Sequence, residues 1–238
     1  MDFHLTREQE LVRQMMQDFT ENEVKPIAAE TDKTSTYPRE NIEKLFDLGV
    51  MGMVVPEEYG GAGMDHLSDV LVMEQIARHS SSLASIIDAH ASLGSTPLLL
   101  AGTEEQKQKY LAPAASGQAL CAFALTEPQS GSDAGQIRTK AVLDGDEWVI
   151  NGSKAFITNS TYATTFLVAA KTDMEAKGSR GISIFIVPAG TPGFEVGKPE
   201  EKMSNRSSYS CPLTFTDVRI PKENLLGKEG QGFKIAMQ

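Results

Sequence analysis

Apolar residues recur three and four apart through the first half of the chain and alternate through much of the second, so the sequence predicts helices followed by strands. Thr6 and Gln9 form a capping box ahead of a first helix whose apolar positions Leu11, Met15 and Phe19 fall on one face. Pro38-Arg39-Glu40-Asn41 opens a second helix, with Ile42, Leu45 and Phe46 apolar and Gly49 as its stop. Asp65 to His79 and Leu83 to Leu93 make longer, more apolar helices, and Thr103 with Gln106 caps a last short one before the helical pattern ends near Leu111. Near Pro113-Ala114-Ala115-Ser116-Gly117 the period changes to that of strands. Ile137 to Leu143 and Glu147 to Ile157 flank Asp144-Gly145-Asp146 and read as a hairpin with Asp-Gly as its turn signal. Thr164 to Ala170, Ile182 to Val187 and Leu213 to Val218 are short β-rich runs separated by Gly, Pro and Asp, a spacing that suits a small antiparallel barrel or sandwich. Gly232 to Gln238 reads as the opening turns of a further helix.

The pattern therefore predicts an α+β multidomain chain: an N-terminal α-helical domain over residues 1–115, a middle β domain over 116–226, and the start of a C-terminal helical domain over 227–238. No internal repeat or low-complexity segment interrupts it. A formal charge of −10 argues against nucleic acid as a partner, since a phosphate-backbone footprint needs clustered Lys and Arg. Cys121 and Cys211 lie far apart with no CxxC spacing, which suggests neither a zinc site nor a disulfide framework and leaves two buried free thiols as the expectation. Met1-Asp2-Phe3-His4 leads directly into the first helix signal, so a cytoplasmic protein without a targeting segment is expected. No apolar run is expected to approach the roughly 20 residues that span a bilayer.

Gly60-Gly61-Ala62-Gly63 is not fed by a strand and reads as a flexible connector, not a nucleotide loop. His4, His66, His79 and His90 are scattered, with no HExxH spacing; a structural or surface role is the default, although His90 on its apolar helix could approach a bound acyl group. No metal site is expected.

Two segments carry the chemistry. Phe123-Ala124-Leu125-Thr126-Glu127-Pro128-Gln129-Ser130-Gly131-Ser132-Asp133 and Lys154-Ala155-Phe156-Ile157-Thr158-Asn159-Ser160 each run from an apolar, β-prone stretch into small hydroxylated residues, as a chain must to lie on a flat ring and reach its polar edge. They resemble the flavin-binding loops of the acyl-CoA dehydrogenase family. Pro56-Glu57-Glu58-Tyr59-Gly60-Gly61, Gly102-Thr103-Glu104-Glu105-Gln106-Lys107, Asn151-Gly152-Ser153-Lys154, Asp217-Val218-Arg219-Ile220-Pro221 and Gly227-Lys228-Glu229-Gly230-Gln231-Gly232 recur in the same family order, so the resemblance covers the whole chain.

The resemblance implies FAD as cofactor. It places Thr158 at flavin N5, Phe156 and Ile157 over the ring, and Phe123, Leu125 and Thr126 on the pyrimidine side. The Ser130-Gly131-Ser132 turn would hold the pyrophosphate, with Ser132 also meeting substrate. Many relatives carry Trp where this chain has Phe156, Gln136 stands at a usually small position, and Ser204 replaces a usual Gly beside Arg206, which reads as structural. Glu127 is read as structural too, since a Glu before Pro in a turn usually satisfies nearby backbone donors. The implied reaction is FAD-dependent α,β-dehydrogenation of a short-chain acyl-CoA, or the reverse enoyl-CoA reduction, with electrons exchanged with an electron-transfer flavoprotein and a homotetramer at full length. The family's catalytic base, a glutamate of its C-terminal four-helix domain, is expected beyond Gln238, so no catalytic residue is named, and weak FAD binding is expected of this stretch alone. Two alternatives accompany this reading: a flavin oxidase or monooxygenase of the same superfamily, and a non-catalytic fragment lacking the base.

Overall fold

The structure is a computed structural model and describes residues 4–238; the opening Met1-Asp2-Phe3 of the first predicted domain lies outside the described residues. Helix α1 (Arg7–Phe19) begins at the predicted box, with the Thr6 hydroxyl accepting from Gln9 N–H and the Gln9 side chain accepting from Thr6 N–H. It continues through a π-helical turn, Thr20–Val24, into α2 (Lys25–Thr34). The sequence reading missed α2 because none of its residues is fully buried, which leaves no apolar stripe to detect. Then come α3 (Arg39–Asp47), α4 (His66–Ala77) capped by Asp65, and α5 (Ser81–His90), which passes through the π-turn Ala91–Ser95 into α6 (Thr96–Ala101). Gly94 lets that turn press against the sheet: a Cβ there would stand 2.3 Å from the Cβ of Cys121. Helix α7 (Glu104–Gln106), a π-turn and α8 (Ala112–Ala115) complete the layer.

Two expectations need correcting here. The buried face of α1 is Gln9, Val12 and Met16, whereas Leu11 is 60% and Met15 38% exposed. Gln9 donates to Asp65 at 2.8 Å, and this bond fixes which face of α1 turns toward α4. The run Ser81–Ala101 is long and apolar enough, by length and composition, to cross a bilayer; the sequence reading stopped it at Leu93. Most of that run is buried inside the protein, as in a core helix.

The β domain is one eight-stranded sheet: β1 (Cys121–Ala124), β2 (Lys140–Asp144), β3 (Glu147–Thr158), β4 (Thr165–Lys171), β5 (Ile182–Pro188), β6 (Phe194–Val196), β7 (Ser210–Pro221) and β8 (Leu225–Leu226). The order is β6-β7-β3-β2-β4-β5-β8, with β1 paired to β4. Most pairings are antiparallel as predicted, but β1 and β2 both run parallel to β4, so the sheet is mixed. The hairpin turn is Gly145-Asp146, with Asp144 opposite Glu147. Strands β4 and β5 are buried on both faces: Leu167, Ala169, Ile184 and Ile186 pack toward the helices, and Phe166, Val168, Phe185 and Val187 pack with Trp148, Leu213 and Phe215 on the other side. The helices have their own core around Met16, Leu45, Ile76 and Ile87. Helix α9 (Gly232–Ala236) closes the described chain, with Ile235 in the core between helices and sheet.

Candidate flavin and acyl site

The two segments singled out in the sequence lie side by side. Ala155 N–H donates to the Thr126 carbonyl at 2.9 Å, and the Lys154 ammonium donates to the Leu125 carbonyl at 3.0 Å and to Glu127 Oε1 at 2.8 Å. Glu127 and Lys154 are almost wholly buried. The Glu127 carboxylate also accepts from Arg138 N–H at 2.6 Å, Thr139 N–H at 2.9 Å and the Gln129 side chain at 2.6 Å. Both of its oxygens are thus committed, which bears out the structural reading of this residue. Burial works to raise its pKa, but the Lys154 charge and the converging donors together hold it below the ordinary carboxylate value. Lys154, which sequence reasoning noted only inside a motif, is brought down to about 8 by burial, partly opposed by Glu127. A long basic side chain two residues after Gly152, in a strand otherwise alternating inward and outward, was the available signal.

Beyond Glu127 the loop closes on itself. Glu127 and Ser130 exchange backbone hydrogen bonds of 3.0 Å, and the Ser130 hydroxyl donates to the Asp133 carbonyl at 2.7 Å. The N–H groups of Gly131, Ser132 and Asp133 have no partner among the described residues, and all three positions are exposed. Exposed free backbone donors of this kind can meet an anion.

On the facing segment, β3 slips register against β7 between Lys154 and Ile157. The bulge turns Phe156 outward at φ 60 and leaves it 63% exposed. A bulky aromatic in this left-handed region costs on the order of 1–3 kcal/mol, strain that concentrates at binding sites. Ile157, expected over the ring, instead lies in the sheet core with Phe166 and Leu213. The bulge shifts the alternation of the strand by one, so Phe156 faces outward and Ile157 inward. Thr158 ends β3 half-buried, its hydroxyl 3.2 Å from that of Ser210.

Phe123, half-buried on β1, borders a cavity of 310 Å³ that α4, the Ala91–Ser95 turn, α6 and α9 enclose with Leu93, Pro97 and Ile235. The exposed aromatic, the hydroxyls of Thr126 and Thr158 and the free donors at Gly131 to Asp133 fit a flavin with a diphosphate tail, and the apolar cavity beside Phe123 fits an acyl chain.

The other candidates take structural places. His90 is fully buried away from this surface. Gly60 to Gly63 is a connector, but a tightly bonded one, with Ala62 N–H on the Gly52 carbonyl and Gly63 N–H on that of Val55. Arg206 reaches Ser35 with its side chain and Asp32 with its backbone, tying the loop before β7 to α2. Cys121 and Cys211 are buried free thiols. No cluster of three metal-ligating side chains occurs among the described residues.

Mixed sheet, helical layer and the two segments joined through Glu127 and Lys154 are the architecture of the acyl-CoA dehydrogenase class, and the match to models of known families agrees. The N-terminal domain of acyl-CoA dehydrogenase matches residues 6–118 and its middle domain residues 122–218; the chain belongs to this family. It is 52% identical over its whole length to the short-chain specific acyl-CoA dehydrogenase of Clostridium acetobutylicum, of which it covers 62%. Among solved structures it is similar to butyryl-CoA dehydrogenase from Megasphaera elsdenii, with TM-score 0.95 and 43% identity, covering all of this chain and 63% of that one. It is also similar to a chain from work on the electron transferring flavoprotein of Acidaminococcus fermentans, with TM-score 0.96, 48% identity and coverage of 100% and 62%. The chain thus spans somewhat under two thirds of the length of these relatives.

Proposed function

We propose that this chain forms the FAD-binding and acyl-binding part of a short-chain acyl-CoA dehydrogenase. The observation that carries the reading is the strained, outward Phe156 held beside Thr126 by the Lys154–Glu127 staple. Phe156 covers the flavin ring, Thr158 hydrogen-bonds its N5 edge, and Phe123, Leu125 and Thr126 border the pyrimidine side. Leu125 does so with its side chain or N–H, since its carbonyl is taken by Lys154. Ser132 and the free donors around it take the pyrophosphate, and Ser132 also meets the substrate. FAD held by these residues would supply the acceptor for a hydride from the β-carbon of the acyl thioester. The α-proton would pass to a carboxylate that this reading assigns outside residues 1–238; Glu127 of the flavin segment has no free oxygen to take it. The electrons then go to an electron-transfer flavoprotein. A tetramer and a cytoplasmic location belong to the same proposal.

The test has two parts. Titration of FAD, followed by flavin fluorescence, is expected to show binding that Phe156→Ala weakens several-fold, the size of one aromatic contact. Anaerobic addition of butyryl-CoA to the FAD-loaded full-length protein, which carries the base outside residues 1–238, is expected to bleach the flavin absorbance. A folded protein with no affinity for FAD sinks the reading, and fast reoxidation of the bleached flavin by air moves it to oxidase or monooxygenase chemistry. Phe156→Gly separates strain from binding: it is expected to raise the melting temperature of the flavin-free protein, by about 1 kcal/mol of relieved strain, while weakening FAD. A lower melting temperature without flavin removes the strain argument.

A further inference from the structure

The cavity beside Phe123 is not uniformly apolar. Its α4 wall presents Asp69, half-buried, whose carboxylate accepts no hydrogen bond and meets no cation within ion-pair distance among the described residues. Burial raises the Asp69 pKa above the ordinary carboxylate value, Asp88 on the neighbouring α5 adds to the rise, and His66, one turn back on α4, opposes it only weakly. A carboxylate taken partly out of water is normally paired, since desolvation without a partner costs free energy that the fold must offset elsewhere. Here the fold supplies none. The rest of the lining is mixed, with Val54, Leu93, Pro97 and Phe123 giving carbon surface and His66, Ser92, Thr96 and Gln238 giving polar groups, so an apolar tail resting against α4 removes water from Asp69 without giving it a donor.

We propose that Asp69 is a specificity-determining residue that selects short acyl chains bearing a hydrogen-bond donor such as a hydroxyl, and rejects chains ending in a carboxylate. The proposal rests on the acyl-CoA dehydrogenase reading of the same site. A chain hydroxyl donates to Asp69 and completes the wall. A terminal carboxylate brings a like charge to a carboxylate already crowded by Asp88. Sites with a committed polar group discriminate strongly against ligands that leave it unpaired.

The experiment uses the FAD-loaded full-length protein, which carries the base this reading assigns outside residues 1–238, and measures anaerobic flavin bleaching by butyryl-CoA, 4-hydroxybutyryl-CoA and glutaryl-CoA, with an artificial one-electron acceptor for turnover. The expected order of kcat/KM is 4-hydroxybutyryl above butyryl and glutaryl far below both. In Asp69→Leu, the ratio of 4-hydroxybutyryl to butyryl is expected to fall about tenfold, the worth of one hydrogen bond to a charged group, with butyryl-CoA itself improved by the apolar wall. Asp69→Asn, which keeps the shape, is expected to retain the hydroxyl preference in part and to admit glutaryl-CoA at least several-fold better. Ratios unchanged within twofold in both variants overturn the assignment and leave the dehydrogenase reading standing. A protein that binds FAD but is bleached by none of the three thioesters overturns both.

Discussion

Lys154→Met is expected to cost about 3–5 kcal/mol of stability, because it removes one partner of a buried ion pair and leaves Glu127 as an uncompensated charge in the interior. For a chain of this size that corresponds to a melting temperature roughly 10 °C lower. The loss is not confined to stability. Among the described residues Lys154 is the only side chain that bonds both the Leu125 carbonyl and Glu127, and Glu127 in turn holds Arg138 and Thr139 on the far side of the loop. Without the ammonium, the Thr126 segment is tied to β3 through the Ala155 bond alone, so FAD affinity falls with stability. The double change Lys154→Met with Glu127→Gln is expected to recover part of the stability, since the isolated charge is gone even though one backbone donor loses an acceptor. Thermal melts of the four proteins form a double-mutant cycle. A near-zero interaction energy, or a single Lys154→Met change below about 1 kcal/mol, is incompatible with a buried staple.

Much of the architecture was readable from residue patterning, and the failures have local physical causes. Capping boxes at Thr6 and Thr103 and the hairpin at Asp144 are short-range signals and hold at the predicted positions. The face of α1 was misassigned because Leu11 and Met15 look like core residues by hydrophobicity alone, whereas a buried polar residue, Gln9, fixes the helix orientation through Asp65. The π-turns that carry α1 into α2 and α5 into α6 have no sequence signature that the helical period detects. Strands β6 and β8 are too short for alternation to show, and the parallel pairing of β1 with β4 joins distant segments. The candidate site was legible because its two segments are each contiguous. What escaped was the bulge that turns Phe156 outward and Ile157 inward, a register effect set by β7 across the sheet. Asp69 escaped because it sits among ordinary helix-surface residues until the fold walls it in.

His90 joins the same two layers by a different means, and its protonation is expected to limit acid stability. The ring is fully buried; Nε2–H donates to the Ala114 carbonyl at 3.2 Å and Nδ1 accepts from Cys121 N–H at 3.0 Å. One neutral tautomer thus bonds α8 to the first residue of β1, the strand that leads to Phe123 and Thr126. Protonation would force Nδ1 to donate, facing an N–H that also donates. Burial brings the pKa down to about 4 from the ordinary 6.5, with the bond to Ala114 opposing the shift. The unfolded chain therefore takes up a proton before the folded one does. The contribution of His90 is complete above pH 6.5 and is lost as pH falls from 6.5 toward 4, amounting to about 3 kcal/mol at the lower end. Glu127, whose folded pKa is depressed, loses its share as pH falls through the ordinary carboxylate value and below it, so its window lies under most of that of His90. His90→Phe removes the titration and leaves the Cys121 N–H unpaired, so it is expected to be less stable than the parent at pH 7 by about 1–3 kcal/mol. It should also lose less on going to pH 4.5. Denaturant unfolding of both proteins across that range decides the matter: curves that stay parallel from pH 7 to pH 4.5 show that His90 does not stay neutral in the fold, and curves that converge place the acid-sensitive link at the junction of helices and sheet.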